Sequence, residues 1–169
     1  MLGRKKYTQE EIDQGKAAVE QQLAAYKQLV KAVAGATTDE RFDAAVESFE
    51  ALFFNNMTLV LDRYFVHRLP GADYEGKDGN PLNEVRIICD SLMNNNGIMR
   101  GDRQIKLTPE RSVLKLNIGD PIRLTEEDFE RLSGAFFAEL ERRFYSGGLP
   151  PGKQPVPPAH ARTTSYVDR

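Results

Sequence analysis

The sequence has little of what most catalytic and metal sites require. It contains one cysteine, Cys89, and two histidines, so neither an intrachain disulfide nor a paired-cysteine zinc site can form. The motifs of nucleotide-binding loops, serine hydrolases and zinc proteases are missing, as are the Glu-x-x-His pairs of ferritin-like sites. We therefore predict neither a cofactor nor a metal site.

A strong net charge and long apolar runs are also lacking. The formal net charge is −2, which gives no overall bias toward nucleic acid or anionic membranes. No stretch resembles a transmembrane span, and the basic residues 4–6 are not followed by the apolar run of a secretory signal. Together with the single cysteine, these features lead us to expect a cytoplasmic protein that does not bind membranes.

Four segments combine helix start signals with apolar residues at helical spacing. Thr8 and Glu11 form a capping box, and Asn80 followed by Pro81 is typical of a helix N-terminus. The four predicted helices begin near Thr8, Asp39, Asn80 and Thr125 and end near Gly35, Leu69, Asn96 and Phe144.

The second predicted helix is expected to be the centre of the fold. Its middle, residues 51–61, has no charged residue and carries apolar residues on every side, which is typical of a helix buried by several neighbours. Phe53 is expected to be fully buried there. Asn55 and Asn56 interrupt the apolar stretch, and buried amides need hydrogen-bond partners. They either pair with each other, bond across the core or face a cavity, so they are candidate ligand-binding residues.

Between the third and fourth helices the pattern changes to alternation with Pro and Gly at turns, which predicts a small antiparallel hairpin or meander. The predicted fold class is therefore α+β but mostly α, with a four-helix core around a long central helix. From Ser146 onward the sequence is rich in Pro and Gly and has no apolar periodicity. We expect a single globular domain over residues 1–145 and an extended or disordered tail over residues 146–169.

One group of residues could carry chemistry. Arg63 and His67 share a face near the end of the second helix, and Glu84 in the first turn of the third helix could lie beside them. A histidine held by a carboxylate near an arginine is a general-base arrangement. Tyr64 and Asn83 are neighbouring candidates for ligand binding. The alternative is a polar clamp between the two helices, in which Glu84 pairs with Arg63.

The segment predicted to be β is locally basic. Lys106, Lys115 and Arg123 are expected to point outward and could contact phosphates. No exposed aromatic residues alternate with them, and lysines on a strand edge also prevent aggregation. A solvated surface is therefore the favoured interpretation, and a nucleic-acid partner is not expected.

The favoured function is a non-enzymatic helical protein–protein interaction module. The second and fourth helices together carry more large apolar residues than four helices of this length easily cover, which predicts a homodimer. Residues 146–169 could recognise another protein. The alternatives are a small enzyme or ligand-binding protein at the junction of the second and third helices, and a nucleic-acid contact through the basic segment.

Overall fold

The computed structural model of the chain describes residues 7–34, 40–65, 79–103 and 105–144. The fold of these residues is mostly helical, as predicted. None of the described helices has the length and apolar character needed to cross a membrane. The helices are α1 (Gln9–Val33), α2 (Glu40–Phe65), α3 (Pro81–Asn94) and α4 (Glu126–Phe144).

Side-chain caps begin α1 and α3 where the sequence predicted them. The Thr8 hydroxyl accepts a hydrogen bond from the Glu11 amide at 3.2 Å, and the Glu11 carboxylate accepts one from the Thr8 amide at 3.1 Å. The Asn80 side chain accepts hydrogen bonds from the amides of Leu82 and Asn83, both at 3.0 Å. These bonds satisfy amide groups that have no partner within their own helix.

The predicted hairpin or meander is not seen in the described residues between α3 and α4. They contain an isolated antiparallel bridge between Ile98 and Pro121 and a short 3-10 turn, Pro109–Arg111, but no strand. Lys115, which lies inside the alternating run, has a φ of 57°. That left-handed conformation reverses the chain and is incompatible with an extended strand.

Hydrogen bonds to side chains hold this segment instead of a strand ladder. The buried Glu84 carboxylate of α3 accepts the amides of Val113 and Leu114. The Ser112 hydroxyl accepts the amide of Lys115 at 2.9 Å. The apolar residues that alternate in the sequence therefore lie on an irregular backbone, and some of their side chains point toward the core.

Helix α3 is the most completely buried helix among the described residues. Eight of its 14 residues are buried. The apolar stripe of α4 also lies in the core, and no large apolar residue of the described helix Glu126–Phe144 is exposed. Buried core residues of α4 and of the second half of α2 include Phe54, Met57, Leu61, Phe129, Leu132, Phe136 and Leu140.

The middle of α2 is not buried on all sides, contrary to the prediction. Leu52 is 62% exposed, Phe53 is half-buried and Asn56 is exposed. Phe54, which is fully buried, occupies the core position that the sequence assigned to Phe53. Residues 51–61 thus have one face in the core and one toward solvent.

Helix α1 lies antiparallel along α4. At one end, the Tyr7 amide donates to the Phe144 carbonyl at 3.1 Å, and their rings meet edge to face. Toward the other end, Lys27 forms ion pairs with Glu126 at 3.1 Å and Glu130 at 2.7 Å. The chain beyond Phe144, including the predicted tail, lies outside the described residues.

Candidate functional site

Glu84, which was predicted to supply the carboxylate of a catalytic group, is hydrogen-bonded to a loop through both of its oxygens. It is 2% exposed, and its two oxygens accept the amides of Val113 at 2.7 Å and Leu114 at 2.9 Å. Burial raises the pKa of Glu84, and the two backbone hydrogen bonds together with the charge of Arg131 oppose that rise. Glu84 therefore acts as a clamp that fixes residues 113–114 to α3.

The other members of the predicted polar group are not brought to one described site. Arg63 is exposed near the end of α2, whereas Asn83 is buried in the first turn of α3. His67 and the side chain of Tyr64 lie outside the described residues. The general-base site therefore stays a prediction, and the observed partners of Glu84 are backbone amides.

Asn55 fulfils two of the three alternatives, because it bonds to a distant part of the chain and also lines a cleft of about 660 Å³. Its amide nitrogen donates to the Ile122 carbonyl at 3.0 Å, and its amide oxygen accepts from the Leu124 amide at 3.4 Å. The side chain thus joins α2 to the backbone of residues 122–124. Asn56 points to solvent and takes no part in this contact.

The three basic residues proposed for phosphate contact lie on the irregular segment. Lys106, Lys115 and Arg123 are all exposed. No strand in the described residues arranges them in a row. Within the described ranges, no group of three or more His, Cys, Asp or Glu side chains is placed to hold a metal ion.

The most distinctive surface is a cleft between the last turns of α1 and the first turns of α2, which we call the apolar cleft. Its volume is about 260 Å³, and all its described lining residues are apolar or aromatic. The lining residues are Tyr26, Leu29, Val30 and Val33 of α1 and Phe42, Ala45, Val46 and Phe49 of α2.

Large side chains around the apolar cleft remain exposed. Leu29 is 49% exposed and Phe49 is 46% exposed. Val30 and Phe42 are each more than one-third exposed. Other exposed large apolar residues, such as Met93 and Ile118, belong to other parts of the surface. The apolar cleft is therefore where exposed apolar side chains gather.

Packed aromatic rings close the floor of the apolar cleft toward the core. The Tyr26 ring stacks on Phe53 with centroids 5.4 Å apart and meets Phe54 edge to face at 4.8 Å. Burial, together with the hydrogen bond and charge of Glu50, raises the pKa of Tyr26 to about 12. Glu50 also accepts the amide of Glu126 at 3.0 Å and so caps α4.

The sequence pattern found these residues but assigned them to the core. The stripe of α1 continues through Val30 and Val33, and that of α2 begins at Phe42, without any break where the core ends. The feature that distinguishes these cleft residues from core residues is the length of the neighbouring helix. Helix α3 has 14 residues whereas α2 has 26, so α3 cannot cover both ends of α2.

Comparisons of the chain with protein-family models, curated proteins and solved structures find no match.

Proposed function

We propose that this protein is a non-enzymatic helical protein–protein interaction module that binds a partner in the apolar cleft. The observation that supports this is the gathering of exposed Leu29, Phe42 and Phe49 at one place on the surface. Burying apolar surface is favourable by about 25 cal/mol per Å². A patch of this kind on a monomer is often functional.

The chemistry of the lining favours a helix as the bound element. Among the described lining residues, the polar side-chain group is the Tyr26 hydroxyl, which is already hydrogen-bonded to Glu50. An extended peptide would bring backbone amides and carbonyls to walls that offer them no partners. A helix satisfies those groups internally and presents an apolar stripe, as in helix-in-groove recognition.

The alternative functions have less support from the described contacts. An enzyme centred on Glu84 would need that carboxylate to be available, yet both of its oxygens hold the 113–114 backbone. A nucleic-acid contact would need an ordered basic surface, and Lys106, Lys115 and Arg123 lie on an irregular segment. Residues 146–169 remain a proposed second contact with a protein partner.

A photo-crosslinking amino acid at position 29 tests the proposal. We expect covalent adducts on irradiation in purified protein or in an extract of the source cell, because Leu29 lines the apolar cleft and is half-exposed. A probe at Gln21, which is exposed on another face of α1, is the matched control. The adduct should disappear when Phe49→Asp is added. Absence of any adduct from position 29, or equal adducts from position 21, would contradict the proposal.

A further inference from the structure

We infer that α1 is a detachable arm, which leaves the core formed by α2, α3 and α4 as one unit without unfolding that core, and that the apolar cleft exists only while α1 is docked. The inference deepens the proposed function because it states what controls the partner site, and it rests on that function only where it concerns binding. Three observations carry it: the narrow buried stripe of α1, the ion pairs beside that stripe, and the contacts of the core that do not involve α1.

The buried surface of α1 is one residue wide. Three of its 25 residues are buried, namely Ile12, Val19 and Tyr26, whereas eight of 14 are buried in α3 and seven of 19 in α4. The three residues stand seven apart, which is one side chain for every two turns of helix. Helix α1 also packs on the other described helices less extensively than α2, α3 and α4 pack on one another. Because stabilisation by packing grows with the apolar area removed from water, α1 is held less firmly than the core helices.

Ion pairs between lysines of α1 and glutamates of α4 accompany that stripe. Lys16 meets Glu141 at 2.5 Å. Lys27 meets Glu126 at 3.1 Å and Glu130 at 2.7 Å. Between 33% and 52% of each of these side chains is exposed, and exposed ion pairs contribute little and are screened by salt. The docking of α1 therefore depends on ionic strength.

The contacts that hold α2, α3 and α4 together do not pass through α1. Phe54 of α2 stacks on Phe129 of α4 with ring centroids 5.5 Å apart. The Glu84 carboxylate of α3 accepts the amides of residues 113–114, and the Asn55 side chain of α2 bonds the backbone segment that precedes α4. These contacts stay in place when α1 leaves, so the core can remain folded without the arm.

The apolar cleft depends on α1 because its described lining comes from α1 and α2 alone. Leu29 and Val33 belong to the α1 wall, whereas Phe42 and Phe49 belong to the α2 wall. When α1 leaves, Phe42 and Phe49 stand on an open helix face with no second wall. A partner that fits the cleft binds the docked state and shifts the chain toward it.

Native-state hydrogen exchange at low urea concentrations tests the arm in the natural chain. We expect the amides of α1 to exchange through one shared opening, with protection about 100-fold lower than that of α3 amides. Raising the NaCl concentration from about 0.1 M to about 1 M should speed exchange in α1 several-fold and leave α3 unchanged. Protection in α1 equal to that in α3 would overturn the arm. Protection that rises smoothly toward the middle of α1 would also overturn it, because fraying ends behave in that way.

A matched pair of lysine variants tests the part played by the ion pairs. Lys27→Gln removes the pairs with Glu126 and Glu130 and should speed exchange in α1 several-fold. Lys31→Gln, at an exposed position in the last turn of the same helix, loses the same charge and should exchange like the natural chain. Equal effects of the two variants would overturn the dependence of docking on these ion pairs.

A substitution far from the cleft tests whether the cleft depends on the arm. Ile12→Asp puts a charge at a buried site that lies about 25 Å along α1 from Leu29. It should release α1 while α3 and α4 keep their protection against exchange, and the adducts from the position-29 probe should be lost. Ala17→Asp, at an exposed position of α1, is the control and should keep the adducts. Loss of protection in α3 and α4 of Ile12→Asp would overturn the arm.

The remaining outcomes separate the inference from the proposed function. Adducts that persist after Ile12→Asp has released α1 would overturn the dependence of the cleft on the arm and leave the interaction function standing. A natural chain that shows the shared opening of α1 but gives no adducts from position 29 would support the arm and overturn the proposed function.

Discussion

The two ends of α2 lie in different environments although both carry an apolar stripe. Phe54 and Leu61 are fully buried, while Phe42 and Phe49, nearer the start of the helix, are 37% and 46% exposed. The 26 residues of α2 extend about 39 Å, and the 14 residues of α3 extend about 21 Å. The closed end is the part that α3 and α4 cover, and the open end, residues 26–33 and 42–52, carries the apolar cleft. The length of the neighbouring helix therefore helps to decide which apolar residues become core.

The two ends also differ in the polar groups that they contain. At the closed end, the buried Glu84 and the half-buried Asn55 hold backbone groups of residues 113–114 and 122–124. At the open end, the described lining of the apolar cleft is apolar or aromatic. The closed end is therefore specified by hydrogen bonds from within the chain, whereas the open end requires only a complementary apolar surface.

The largest expected effect comes from truncating the ring at the closed end. Phe54→Ala should lower the free energy of unfolding by about 3–5 kcal/mol, because it opens a cavity beside Phe129 and Tyr26. Leu52→Ala should change it by less than about 0.5 kcal/mol in dilute protein. Urea unfolding of the two variants measures the contrast. Equal losses would remove the distinction between the buried and the exposed face of α2.

The Glu84 clamp should produce the next largest effect. Glu84→Gln keeps one acceptor oxygen but turns an amide group toward the other backbone N–H, so about 1–3 kcal/mol of stability should be lost near neutral pH. Glu110→Gln, at an exposed position, is the matched control and should be nearly neutral. A Glu84→Gln variant as stable as the control would show that the clamp does not hold the loop.

The clamp should also make stability depend on pH with a definite sign. The pKa of Glu84 is raised by burial above its ordinary value of 4.5. Protonation therefore favours the folded state, and this contribution is fully present below pH 4.5 and lost as pH rises through the folded pKa. The stability of the natural chain relative to Glu84→Gln should fall over that range in urea titrations. Parallel pH profiles for the two chains would contradict this prediction.

A smaller contrast separates the two adjacent asparagines. Asn55→Ala removes two hydrogen bonds to the 122–124 backbone and should cost about 1–2 kcal/mol. Asn56→Ala, at an exposed position, should change stability by less than about 0.5 kcal/mol. Thermal melts of the pair measure the difference. A larger loss for Asn56→Ala would reverse the assignment of these two side chains.

The smallest effect is expected from removing the tail. Truncation after Tyr145 should leave the thermal midpoint unchanged, because residues 146–169 have no apolar stripe that could offset the entropy lost on ordering, roughly 1–2 kcal/mol per residue for the backbone. A marked fall in the midpoint would show that the tail belongs to the folded domain. It would then place the domain boundary beyond residue 145.

Local signals in the sequence were sufficient to predict the helices but not the contacts around them. The caps at Thr8 and Asn80 are decided within three residues, so the helix starts could be predicted. The predicted strands are not seen in the described residues, where Glu84, about 30 residues away, accepts the amides of residues 113–114 and Lys115 adopts a left-handed conformation. The alternation of apolar residues in the sequence reveals neither the contact with Glu84 nor the positive φ of Lys115.

The burial of individual apolar residues could likewise not be predicted from the local sequence pattern. Phe53 and Phe54 are adjacent and chemically identical, and the position of α3 and α4 decides that Phe54 is the fully buried one. The surplus of apolar surface was predicted on the second and fourth helices. In the described residues it lies on α1 and α2, because the large apolar residues of α4 are all covered.

Native-state hydrogen exchange tests the contrast between the two ends of α2 most directly. Amides of residues 42–49 should exchange faster than amides of residues 54–61, because the second group carries the core residues Phe54, Met57 and Leu61. Equal exchange rates at the two ends would contradict the account.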